Sequence, residues 1–221
     1  MYNGGSYPSS SNVLKNNLIY DSKSGDWNFT VSGGTCTSFQ DCATVAHNWC
    51  TTAATGCTAT GDPKFTDTTL TNYSSATLPN LALQSSSGAI DGGTYLTTAT
   101  NSGSPSSTLA VDDARYFQDG TWGSDLARGV TLFPDWIAIG SVGNVVQILS
   151  IDYSTNTIRL ASSVNWGIGA PVWIYKKSDG SQVLYGAAPD YGAYEYTGGG
   201  GTTSHGSCTG CSGHGTAGRG Y

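Results

Sequence analysis

Val145-Val146-Gln147-Ile148-Leu149-Ser150-Ile151-Asp152-Tyr153-Ser154-Thr155-Asn156-Thr157-Ile158-Arg159-Leu160 decides the fold class. β-Branched and apolar residues cluster at both ends, and Asp152–Thr157 between them has the Asp/Ser/Asn content of a turn. Two antiparallel strands joined by a short connection follow. Similar segments lie on either side, at Thr108–Val111, Trp136–Ile139 and Pro171–Tyr175, the last led in by Gly167-Ile168-Gly169-Ala170. Residues 94–196 are therefore predicted to form a meander of short antiparallel strands, closed as a small barrel or sandwich.

The composition agrees. Of 221 residues only 11% are charged, against about 25% in an ordinary globular chain, while 31 are glycine and 13 tyrosine. Thr and Tyr favour strands, Gly and Asn favour tight turns, and helix formers do not occur in runs. The net charge is −6 and the pI near 4.7. The nine basic residues are scattered, which excludes a nucleic-acid partner, because phosphate recognition needs clustered Lys and Arg. No apolar run approaches the ~20 residues of a membrane helix. The chain opens Met1-Tyr2-Asn3-Gly4-Gly5-Ser6, without the basic and apolar regions of a signal peptide, yet its six cysteines suit an oxidising compartment. It is read as a processed or incomplete form of a secreted, extracellular or cell-surface protein.

Residues 1–93 have a different texture. Short apolar segments separated by Asn, Gly and Ser turns, without a helical period, fit a solenoid of β-coils. Asn16-Asn17-Leu18-Ile19-Tyr20, Gly61-Asp62-Pro63-Lys64-Phe65, Leu81 to Gly93 (LALQSSSGAIDGG) and Gly186 to Tyr196 (GAAPDYGAYEY) carry a resemblance. They resemble the closing coils of right-handed parallel β-helix proteins of the pectate-lyase-like superfamily, over about residues 10–196. The resemblance implies a short right-handed parallel β-helix at 1–93, ahead of the antiparallel closing domain at 94–196; residues 197–221 read from their composition as a Gly-rich tail. It implies little about activity, since that superfamily holds lyases, hydrolases, adhesins and spikes.

Cys36, Cys42, Cys50 and Cys57 lie in a Thr/Ala-rich insertion at 36–57. Four cysteines allow three pairings, of which the sequential one, Cys36–Cys42 with Cys50–Cys57, closes the shortest loops. The tail reads His205-Gly206-Ser207-Cys208-Thr209-Gly210-Cys211-Ser212-Gly213-His214. Its two thiols and two imidazoles form a candidate tetrahedral zinc set, weighed against a Cys208–Cys211 disulfide. No other cofactor is expected.

Catalytic constellations do not emerge. Asp112-Asp113 and Gly213-His214-Gly215 echo polygalacturonase phrases, which use paired carboxylates as acid and base, but the surrounding family phrases are missing. A calcium-dependent lyase site needs clustered acids, whereas Asp21, Asp26, Asp41, Asp62, Asp67 and Asp91 are dispersed. His47 and Trp49 are expected to pack within the insertion. Among Trp122, Trp136, Trp166 and Trp173, two or three are expected in the core, with Trp122 the candidate platform for a sugar ring. Asn28 and Asn72 head N-glycosylation sequons.

The sequence therefore points to a secreted, non-catalytic structural subunit that self-assembles into a filament or surface array and contacts polysaccharide. The ground is an unclosed solenoid end, which either upstream coils or another copy must cover, the second giving self-assembly. The alternatives are the C-terminal piece of a polysaccharide lyase or hydrolase, or its carbohydrate-binding module, and a viral or phage tail-spike-like β-helix.

Overall fold

The computed structural model describes residues 12–20, 43–54, 56–68, 80–121 and 132–198. They hold strands and no helix, so the fold is all-β.

The N-terminal residues form short parallel pairs. Strand β1 (Asn12–Leu14) pairs with β3 (Ala43–Val45), and β2 (Leu18–Ile19) pairs with β4 (Asn48–Cys50), which pairs with β5 (Cys57–Thr60). The apolar run at 13–20 is split because Asn16 adopts φ 59°, a left-handed conformation that Asn tolerates better than most residues. His47, at φ 52°, makes the matching corner between β3 and β4. The two corners stack, with the Asn16 N–H donating to the His47 carbonyl at 2.7 Å.

Asn48 organises these corners. It is fully buried, and its amide donates to the carbonyls of Leu14, Ala46 and Gly56 at 3.0–3.2 Å. Its Oδ1 accepts from the Asn17 backbone and side chain at 3.0 and 2.8 Å. A small cluster of Trp49, Leu83, Ala89 and Tyr191, with Leu18 and Phe65 against it, closes this region.

This arrangement corrects the resemblance to a right-handed parallel β-helix of the pectate-lyase-like kind. A β-helix needs parallel sheets that continue coil over coil, whereas among the described residues parallel pairing stops at two and three strands. The next apolar segments pair the other way: Phe65 meets Leu83 in an antiparallel bridge, flanked by Thr66 N–H to Ala82 O and Gln84 N–H to Lys64 O. Pro63 has no N–H to give a ladder, and Lys64 turns the chain at φ 54°.

The main unit is a six-stranded antiparallel sheet. Its strands are β6 (Thr97–Thr98), β7 (Gly103–Ala110), β8 (Trp136–Ile139), β9 (Ser141–Asp152), β10 (Thr157–Trp166) and β11 (Pro171–Lys176), in the order β6-β11-β8-β9-β10-β7. Strands β9 and β10 are joined by a turn in which Asn156 takes φ 52°. Register shifts along β10, between Arg159 and Val164 and again before Trp166, bend the strand. The sheet thus curls into a half-barrel, and its two edges meet at the Ala99–Val111 bridge.

Alternation along the strands fills the concave side with Leu109, Ile137, Ile139, Val146, Ile148, Ile158, Leu160 and Val172. Burying each such side chain contributes roughly 1.5–3 kcal/mol. Strand β8 is buried on both faces, because Ala138 packs outward against Trp173 and Leu184. Trp166 lies against Gly103, where an added Cβ would stand 2.7 Å from the indole ring, which is itself fixed by an Nε1–H bond to Asn101 O at 3.0 Å. Gly103→Ala is expected to destabilise the half-barrel by about 1–3 kcal/mol through overpacking, measurable as a lowered denaturation midpoint.

Candidate functional site

Two features outside the half-barrel core stand out: a group of interlocked carboxylates and an open strand edge.

The carboxylates are Asp91, Asp190 and Glu195. After β11 the chain leaves the sheet, and residues 186–196 lie against the turn at 87–93. The Tyr191 N–H donates to Ala89 O at 2.9 Å, the Gly93 N–H to Pro189 O at 2.7 Å, and the Gly192 N–H to Asn16 O at 2.8 Å. Acid side chains fill the remaining amide positions. Asp190 Oδ1 accepts the Asp91 N–H at 2.8 Å and Oδ2 the Tyr196 N–H at 2.6 Å. Asp91 Oδ1 accepts the Ala188 N–H at 3.1 Å, and Glu195 Oε1 the Asp190 N–H at 2.9 Å. Glu195 Oε2 is buried with no hydrogen-bond partner. Burial pushes the Glu195 carboxyl up to about 7, with repulsion from Asp190 and Asp91 adding to it. Burial likewise raises Asp190, against the pull of its two backbone donors.

The other described acids also serve local structure. Asp62 accepts the Lys64 N–H at 2.8 Å, as an Asx turn. Asp119 is buried, which opposes ionisation, but bonds from Thr121 and the Ile151 N–H outweigh this and hold its carboxyl below the usual range. Asp112 accepts from the Thr98 hydroxyl. Its neighbour Asp113 is held by two bonds from the Arg115 guanidinium, at 2.7 and 2.9 Å, which lower its pKa. An acid so paired is a poor proton acceptor, so Asp112-Asp113 has the geometry of a turn rather than of an acid–base dyad.

The open edge is β5. The strand order β2-β4-β5 leaves it outermost among the described residues. Because Cys50 O accepts the Gly61 N–H and Cys50 is in register with Thr60, the backbone N–H and C=O of Thr60 point away from β4. The strand Cys57-Thr58-Ala59-Thr60 carries none of the Lys, Pro or inward charge that ordinarily protects an edge. It is tied to β4 by the Cys50–Cys57 disulfide.

That disulfide is one half of the sequential pairing expected from spacing. Cys36 and Cys42 lie outside the described residues, as do His205, Cys208, Cys211 and His214 of the candidate zinc set, Trp122, and the sequon residues Asn28 and Asn72. Among the described residues no group of three or more His, Cys, Asp or Glu is placed to hold a metal ion. Trp49, Trp166 and Trp173 are buried, Trp136 is half-buried and His47 is exposed. The carboxylate group was not anticipated. Its signal was the one glutamate of the chain, Glu195, within the phrase Pro189-Asp190-Tyr191-Gly192-Ala193-Tyr194-Glu195.

No family model matches this chain, and no match emerged among curated proteins or solved structures. A disulfide suits a non-cytoplasmic setting. Among the described residues no helix is long and apolar enough to cross a membrane.

Proposed function

We propose that this chain is an extracellular, non-catalytic structural subunit that associates with copies of itself by adding a strand at β5. The observation that carries this reading is the outward-facing, uncharged, proline-free backbone edge at Thr58–Thr60. Such an edge is a template for another strand, since main-chain hydrogen bonds supply affinity without a specialised pocket. Pairing β5 with β5 of a second copy by two-fold symmetry gives a dimer, and pairing it with a different edge gives an open filament. The aspartates support a structural role, because Asp190, Asp119 and Asp113 accept from backbone amides or Arg115. Localisation outside the cytoplasm is supported by the Cys50–Cys57 disulfide, which holds the edge strand in place.

Thr60→Pro tests this directly. It removes one outward N–H and adds a ring at the edge, while the Gly61 N–H to Cys50 O bond within the sheet stays intact. Wild-type protein is expected to sediment as an oligomer whose mass exceeds the 22.8 kDa of the chain. The proline variant is expected to shift towards monomer, weakening association about tenfold or more, as the loss of one or two main-chain hydrogen bonds implies. A wild-type protein that stays monomeric at high concentration would refute the proposal.

A further inference from the structure

We infer that the Asp91–Asp190–Glu195 group is a pH-operated clasp, which holds residues 186–196 onto the 87–93 turn in acid and releases them in mild alkali. The inference is independent of self-association.

The geometry makes this group the fastening between two distant parts of the chain. Asp190 lies 99 positions from Asp91, yet its Oδ1 takes the Asp91 N–H, while Asp91 Oδ1 returns the connection by taking the Ala188 N–H. Glu195 Oε1 then holds the Asp190 N–H and so fixes the residue that fixes Asp91. The packing around it is close: a Cβ on Gly186 would collide with the Asp91 carboxylate, and one on Gly92 with the Tyr191 ring. A third element depends on the same fastening, because the Gly192 N–H reaches back to Asn16 O.

Glu195 is the weak point. Its Oε2 is buried without a hydrogen-bond donor, an acceptable place for a neutral carboxyl and a poor one for a carboxylate. The charged groups acting on it are Asp190 from its own segment and Asp91 from the facing turn. Both are acids, and Tyr185 contributes only a backbone amide. No described cation offsets a third negative charge there. Ionising Glu195 therefore places charge in a buried site beside two like charges, and the relief is to move the segment into water.

The direction follows from linkage. The folded-state value is raised, from an ordinary 4.5 to about 7. The clasp's contribution is therefore whole below the ordinary value, declines as pH rises between the two, and is lost as pH passes about 7. Asp190, raised in the same direction, reinforces the trend.

The chain contains one glutamate, so selective ¹³C labelling of glutamate gives one side-chain carboxyl signal. Titrated in the wild-type protein, that signal is expected to have its midpoint near 7. Over the same range, hydrogen exchange at Tyr191 and Gly192, corrected for intrinsic rates, is expected to accelerate by about tenfold or more. Glu195→Gln, which is neutral at every pH, is expected to remove that acceleration. A carboxyl midpoint near the ordinary 4.5 would overturn the inference. So would a midpoint near 7 with no accompanying change in exchange, or acceleration that persists in the Gln variant. The titration on wild-type protein decides the matter even if the variant fails to fold.

Discussion

Asn48→Ala is expected to destabilise the parallel region by about 3 kcal/mol. Three backbone carbonyls, of Leu14, Ala46 and Gly56, would lose their donor in a partly buried site, and each such loss costs about 1 kcal/mol. The Asn17 N–H and side-chain amide would lose their acceptor as well. Asn48→Asp separates the two halves of this argument. It keeps the acceptor for Asn17 but cannot donate to the three carbonyls, and it brings a charge into a fully buried position. It is expected to be at least as damaging as alanine. Exchange at the Trp49 amide, which bonds to Asn17 O at 2.8 Å, reads the effect locally. Unchanged protection in both variants would show that Asn48 does not hold the corners together.

The second large effect belongs to the half-barrel. Ile158 is fully buried, in register with Ile151 on β9 and Leu109 on β7. Ile158→Ala removes most of a side chain that strands on both sides pack against, and is expected to cost about 4 kcal/mol, from lost transfer free energy and the cavity left behind. Ile158→Val should cost about 1 kcal/mol. Leu149 on β9 is the control: it is 63% exposed, and Leu149→Ala should change stability by no more than about 0.5 kcal/mol. Guanidinium unfolding, followed by fluorescence of the buried Trp166 and Trp173, gives all three values. Equal losses for Ile158 and Leu149 would mean that the sheet does not present the faces described.

The antiparallel unit was legible because its signals are local. The β8 segment Trp136–Ile139 was read with its observed limits, and the β9–β10 turn was marked by Asp152 to Thr157. Strand ends were read short, with β7 beginning at Gly103 rather than Thr108 and β10 running on to Trp166. Gly103, Ser104, Pro105 and Ser106 look like a turn in isolation. They become a strand because Trp166 covers the glycine and β10 supplies a partner.

The N-terminal region was misjudged for the opposite reason. Short apolar segments between Asn and Gly turns do pair in parallel, but pairing direction and sheet size depend on partners far along the chain. Nothing local in Phe65 or Leu83 announces an antiparallel bridge. The proposed self-association rests on a different footing from the sequence reading: an open β5 edge replaces an open solenoid end. The carboxylate group was the least legible part, because Asp91 and Asp190 meet across 99 positions. Their meeting depends on how the chain returns after the half-barrel.

Exchange at the Thr60 amide, compared between dilute and concentrated wild-type protein, is the most direct test of strand addition at β5. The account predicts that this outward N–H becomes protected as concentration rises, while the Trp49 amide, already bonded within the sheet, is unaffected. A Thr60 amide that exchanges equally fast in an assembled sample would contradict it, and would place the contact between copies somewhere other than this edge.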